Sequence, residues 1–212
     1  AAAAARAAEA EIGRGLYRGP LHGIPVALKD IYDVAGVKTT ASSKILAENV
    51  ATKDCTVARR LKEAGAVIIG KTNLHEFAFG VTTNNPHYGP TRNPWDTSRV
   101  PGGSSGGSGA AVAASLCTAA TGTDTGGSIR IPSSLCGIVG LKPTFGRVSK
   151  AGVTVLSWSL DHTGPMTKSV EDAAIFLAAI AGYDHADPTT VDLPVPDYRA
   201  AIGRAVKGLR LG

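Results

Sequence analysis

The sequence predicts an α/β protein, on three observations. Segments of helical periodicity alternate with short, wholly apolar runs. Glycine and proline turns, not linkers, bound those runs. No repeat or shift in composition divides the 212 residues, enough for one domain with a substantial core.

Residues 1–13 are rich in alanine and glutamate and read as a helix that stops near Gly13. Gly19-Pro20-Leu-His22-Gly23 is turn chemistry. From Ile24 to Ile31 both alternating faces are largely apolar, the pattern of a buried strand. Ala27, Lys29 and Ile31 share one face of it. A lysine there is unusual, because lysine is almost never fully buried without a partner. Two readings of Lys29 are open: it snorkels or pairs with a carboxylate, or it serves as a base. A base must be neutral near pH 7, which takes a depression of about three units, or about 4 kcal/mol.

Asp54 is placed to cap a helix over 54–64, with Val57, Ala58, Leu61 and Ala64 at helical spacing and Gly65 closing it. Ala66 to Gly70 reads as a strand buried on both faces. Residues 80–101 form a long loop, a length that is usually functional inside a compact domain. Gly137 to Pro143 predicts a strand ended by proline, and Gly152 to Leu156 is a further apolar run. Ser159 to Pro165 reads as a turn. Val170 to Ile180 is the clearest amphipathic helix, capped by Ser169 with Glu171 and Asp172 in its positive first turn. After Gly182 the chain is rich in aspartate and proline. Gly208 to Gly212 looks like the beginning of a strand.

Composition narrows the function classes. Lysine plus arginine number 22 against 17 acidic residues, scattered and not clustered, so nucleic-acid binding is not signalled. Cys55, Cys117 and Cys136 are an odd, widely spaced set, which argues against a disulfide framework or a thiolate zinc site. Cys117 and Cys136 read as small core residues. His75-Glu76 opens like a zinc-protease motif but lacks the later histidine, and the five histidines are dispersed, so no metal is expected. No run reaches the roughly 18 apolar residues of a membrane span, and the N-terminus lacks the order of a signal peptide. The expected location is the cytoplasm, with no membrane partner.

The chemistry is concentrated in residues 99–147. Two glycine-serine loops, Gly102-Gly-Ser104-Ser105-Gly and Thr125-Gly126-Gly127-Ser128, flank the apolar segment Ala110 to Cys117. A flexible linker would separate domains, whereas these loops bracket a segment too short to be one. Glycine lets backbone approach a ligand closely, and successive free N–H groups form a cradle for negative charge. A serine at the end of such a cradle can attack a carbonyl whose oxygen the N–H groups hold. Gly102 to Gly106 matches G-x-S-x-G, but Asp96 to Pro101 before it is not the apolar strand a nucleophile elbow needs. The dinucleotide fingerprint and the S-x-x-K pattern are both missing, and no cofactor is expected.

Taken together, Gly23-Ile-Pro-Val-Ala-Leu-Lys29-Asp30, Pro101 to Ser108, Gly122 to Arg130 and Gly140-Leu-Lys142-Pro143-Thr144 resemble the amidase signature family of serine hydrolases. The resemblance runs from about Gly19 to Tyr183. It implies a mixed central β-sheet covered by helices on both faces. It also implies a single domain over 1–212 that is only the N-terminal portion, since family members are about twice this length. The family's Ser-Ser-Lys triad carries onto Ser128 as nucleophile, Ser104 as bridging serine with a cis peptide before it, and Lys29 as base. The resemblance implies an oxyanion hole from the backbone around Thr125, Gly126, Gly127 and Ser128. Ser105, Asp124 and Arg130 are expected to support that machinery.

The implied activity is hydrolysis of a small-molecule carboxamide to acid plus ammonia or amine through an acyl-enzyme. The alternative is the glutamine-hydrolysing component, the A subunit, of a tRNA-dependent amidotransferase, which would need partner subunits and charged tRNA. Ser157-Trp-Ser-Leu-Asp161-His162-Thr-Gly-Pro165 favours the stand-alone amidase. The resemblance admits a homo-oligomer. A third reading is an inactive scaffold, because a missing half leaves the pocket open.

Overall fold

The computed structural model describes residues 1–210. Its elements in chain order are α1 (Ala2–Gly13), β1 (Pro25–Lys29), α2 (Thr56–Glu63), β2 (Val67–Thr72), β3 (Asn84–Asn85), β4 (Gly89–Pro90), α3 (Gly106–Ala113), β5 (Ala119–Asp124), α4 (Arg130–Cys136), β6 (Val139–Gly140), β7 (His162–Thr167) and α5 (Val170–Ile180). One five-stranded sheet has the order β2-β1-β5-β7-β6, and β3 and β4 form a separate hairpin. Strands β2, β1 and β5 are parallel, while β7 runs antiparallel to both β5 and β6. The sheet is therefore mixed.

Helices cover both faces because β1 alternates between two cores. Val26 and Leu28 pack with Val57 and Leu61 of α2 and Phe176, Leu177 and Ile180 of α5. Ala27 meets Ala120, Val112 of α3 and Cys117 on the other side. The predicted helices at 1–13 and 170–180 form as read, and Ser169 Oγ accepts the Asp172 N–H as the expected cap. All three cysteines are buried and free. No helix among the described residues is long and apolar enough to cross a membrane.

Several local readings yield to tertiary contacts. The segment read as a turn at 159–165 instead contributes most of strand β7, paired with β5 across six residue pairs. Pro165 is tolerated there because its carbonyl accepts the Leu141 N–H. Its missing donor points to that same side, past the end of β6, so the one bond forgone is the return bond to Leu141 and the ladder with β5 loses nothing. The predicted strand over 137–143 shrinks to the two residues of β6. The apolar run at 152–156 makes only an isolated bridge between Val153 and Tyr32. Asp54 does not cap α2: Cys55 occupies that position and its Sγ accepts the Ala58 N–H, while Asp54 binds the Ala35 N–H and Lys62. Strand β2 is half exposed and not buried on both faces, since it lies at the sheet edge. Residues 208–210 form no strand; the rest of that expected strand, Leu211-Gly212, lies outside the described residues.

Candidate active site

Lys29 is the last residue of β1 and is wholly buried. The β1–β5 register holds only for Val26–Ala119 and Ala27–Ala120. Beyond that pair the ladder opens, and the Lys29 N–H donates instead to Thr121 Oγ1 at 3.0 Å. The side-chain amine then lies between two hydroxyls. Nζ donates to Ser104 Oγ and to Thr123 Oγ1, each at 2.7 Å. No carboxylate forms an ion pair with it among the described residues. Burial pushes Lys29 down from 10.5 to about 7, against an upward pull from Asp161 and Asp124. Of the two sequence readings, the carboxylate-paired lysine is the one this geometry lacks.

Ser104 is fully buried in the turn before α3, and the Gly103–Ser104 peptide is cis. Its carbonyl accepts the His75 N–H at 3.1 Å. Ser105 joins the two glycine-serine loops: its N–H donates to Ser128 O at 3.3 Å, and its hydroxyl engages the Thr123 backbone. Ser128 lies between the end of β5 and the start of α4 and keeps a small exposed fraction, 8%. None of the hydrogen bonds among the described residues engages its hydroxyl. The structure therefore brings Lys29 and Ser104 into direct contact and ties Ser128 to them through Ser105.

The expected oxyanion donors divide. The Gly127 N–H is already used, donating to Asp124 Oδ1 at 2.8 Å. This corrects the expectation that Gly127 supplies a free donor. The N–H groups of Thr125, Gly126 and Ser128 carry no hydrogen bond among the described residues, and Gly126 is exposed. Gly127 adopts φ 142, and a Cβ there would meet the Ile131 side chain at 2.7 Å, so the position requires glycine.

Asp124 organises this loop. Fully buried, it accepts from the Gly127, Ile129 and Arg130 N–H groups and from Arg130 Nε and Nη2. Burial raises its carboxyl, but the Arg130 side chain and the backbone donors outweigh that and hold it below the usual carboxylate range. Asp124→Asn keeps the shape and removes the charge that gathers these donors. The expected result is a loss of kcat of roughly 10–100-fold through a loosened donor loop, read by steady-state kinetics beside a melting curve. An unchanged kcat would show that the loop holds its shape without the carboxylate.

Two residues escaped the sequence reading. Thr123 is the second acceptor of the Lys29 amine. Asp161 accepts the Leu156 and Ser157 N–H groups and the Thr125 hydroxyl, anchoring the 156–161 segment beside the donor loop. Only the pairing of β1 with β5 and of β5 with β7 brings them in. Among the described residues no cluster of three or more His, Cys, Asp or Glu side chains is placed to hold a metal ion.

Fold and site together define the class: a mixed α/β sheet protein whose two glycine-serine loops meet over a buried lysine. The chain belongs to the amidase signature family, since the family model described as Amidase matches residues 1–212. It is 61% identical over 199 residues to the glutamyl-tRNA(Gln) amidotransferase A subunit of Syntrophobacter fumaroxidans, covering 94% of this chain and 41% of that protein. The crystal structure of the glutamyl-tRNA(Gln) amidotransferase A subunit from Thermotoga maritima is 54% identical with a TM-score of 0.81, over 82% of this chain and 38% of that one. The native peptide amidase from Stenotrophomonas maltophilia is 46% identical with a TM-score of 0.86, over 95% of this chain and 41% of that one. The chain thus spans about two fifths of the length of the proteins it matches.

Proposed function

We propose that this chain carries the amide-cleaving centre of the glutamine-hydrolysing component of a tRNA-dependent amidotransferase. The observation that carries the chemistry is the buried Lys29 amine, 2.7 Å from Ser104 Oγ and depressed to about 7. The likeness to proteins named for glutamyl-tRNA(Gln) supports the substrate reading, with 61% identity to one of them. It reverses the order of the two readings that the Ser157–Pro165 segment favoured. In that role the protein would work with partner subunits and charged tRNA.

In this reading neutral Lys29 accepts a proton from Ser104 as Ser104 accepts one from Ser128. Ser128 Oγ bonds to the carboxamide carbon, and free N–H groups of residues 125–128 receive the oxyanion, at about 3–4 kcal/mol per donor. Lys29, now charged, returns a proton through Ser104 to the nitrogen. The C–N bond breaks and ammonia leaves. Water then adds to the acyl-enzyme with the same relay acting as base. A serine hydroxyl is a poor nucleophile unaided, which is why the lysine must be neutral at the working pH.

A stand-alone amidase is the second reading, supported by the 46% identity to a peptide amidase. Ammonia release by the full-length protein separates the two. The panel is an aliphatic amide, an aromatic amide, and glutamine alone or with charged tRNA and partner subunits. Release confined to glutamine in the complete mixture is expected. Release from simple amides by the protein alone would overturn the amidotransferase reading in favour of the amidase. Release from none, with the protein folded, would leave the scaffold reading standing.

A further inference from the structure

Thr83 lies outside the triad, yet its hydroxyl sits at the centre of the turn that carries Ser104. The residue is fully buried. Oγ1 donates to Gly102 O at 2.8 Å and accepts from the Gly106 N–H at 3.1 Å, with Ser104 O a further 3.4 Å contact. One side chain therefore bridges both ends of the turn, with Ser104 between them. The turn leaves room for it: a Cβ at Gly106 would come within 2.2 Å of Thr83 Oγ1, and one at Gly103 within 3.0 Å. Thr83 itself adopts φ 55, the left-handed region where a β-branched side chain is strained. Backbone preference thus disfavours threonine here, whereas its hydroxyl accounts for it.

We propose that Thr83 is a positioning residue whose hydroxyl clamps the 102–106 turn and so holds Ser104 Oγ against the Lys29 amine. The inference rests on the Lys29–Ser104–Ser128 relay proposed above. Displacing a relay atom by about 1 Å costs up to 10²-fold in rate.

The test uses the full-length protein and reads Ser128 labelling by a fluorophosphonate probe, which needs an activated serine and no particular amide. Thr83→Val keeps the shape and removes the hydroxyl; Thr83→Ser keeps the hydroxyl. Thr83→Val is expected to label and turn over at least about tenfold more slowly, with KM nearly unchanged. Thr83→Ser is expected to restore most of the rate. If Thr83→Val does not fold, Thr83→Gly carries the test, because it relieves the φ strain while still removing the hydroxyl. Labelling of a folded hydroxyl-free variant at the wild-type rate, or equal losses in Thr83→Ser and Thr83→Val, overturns the clamp alone. Equal labelling of wild type and Ser128→Ala overturns the nucleophile, and the clamp with it.

Discussion

Ser128→Ala is expected to lower kcat for amide cleavage by roughly 10⁴–10⁶-fold while leaving the fold intact. That corresponds to about 5–8 kcal/mol of transition-state stabilisation. The loss is large because in the proposed mechanism the serine forms the covalent bond, and neither Lys29 nor Ser104 can replace it. The fold survives because the hydroxyl makes no hydrogen bond among the described residues, so its removal leaves no partner unsatisfied. The loop keeps its geometry through Asp124 and Ser105, both of which bind backbone atoms around position 128. Ammonia release and a thermal melting curve on the same preparation check both halves. Residual turnover within about 10²-fold of wild type would move the nucleophile elsewhere.

Lys29→Met is expected to remove most of the rate, about 10³-fold or more, together with the acid limb of the pH profile. With Lys29 at about 7, wild-type kcat/KM should rise through pH 7 as the amine loses its proton. Methionine cannot titrate, so the variant's residual activity should lack that limb. A limb that persists unchanged would clear Lys29 of the base role.

The same shift makes a stability prediction. Between pH 7 and about 10.4 the unfolded chain holds a proton on Lys29 that the folded chain does not. Folding therefore becomes more favourable as pH rises across that window, and the full penalty is felt below pH 7. The penalty is of the order of 4–5 kcal/mol. Lys29→Met escapes it but leaves Ser104 and Thr123 without their donor, at about 1–3 kcal/mol each. The decisive quantity is thus the slope: wild type should gain stability from pH 7 to 10 relative to the variant, by denaturant titration. Parallel pH dependences in the two proteins would contradict a depressed Lys29.

Much of this arrangement is legible in the sequence, and the limits of that legibility are physical. The apolar run around Lys29 announces a buried strand, and its burial forces the amine to be neutral or paired. The α5 helix is legible for the same reason, since its period, cap and acidic first turn are local. The two glycine-serine loops announce backbone built for close approach. These features depend on residues a few positions apart, which is where periodicity and turn chemistry operate.

Tertiary structure alone decided the rest. The segment ending in Gly164-Pro165 has turn composition, but six residue pairs with β5 make it a strand. Asp54 has the chemistry of a cap, but the Ala35 N–H and Lys62 claim its carboxylate. Gly127 looks like an anion donor, but Asp124 takes its N–H. Thr123 becomes a partner of Lys29 only where β1 and β5 splay apart, 94 residues apart in sequence. For β7, for Thr123 and for the Asp54–Ala35 contact the deciding partner lies 19 or more residues away along the chain, whereas Asp124 and Gly127 are three apart and it is the folded loop that brings that carboxylate onto that N–H. A polar group buried in a fold must find a hydrogen-bond partner wherever the topology supplies one, and local sequence can state that need without saying which partner meets it.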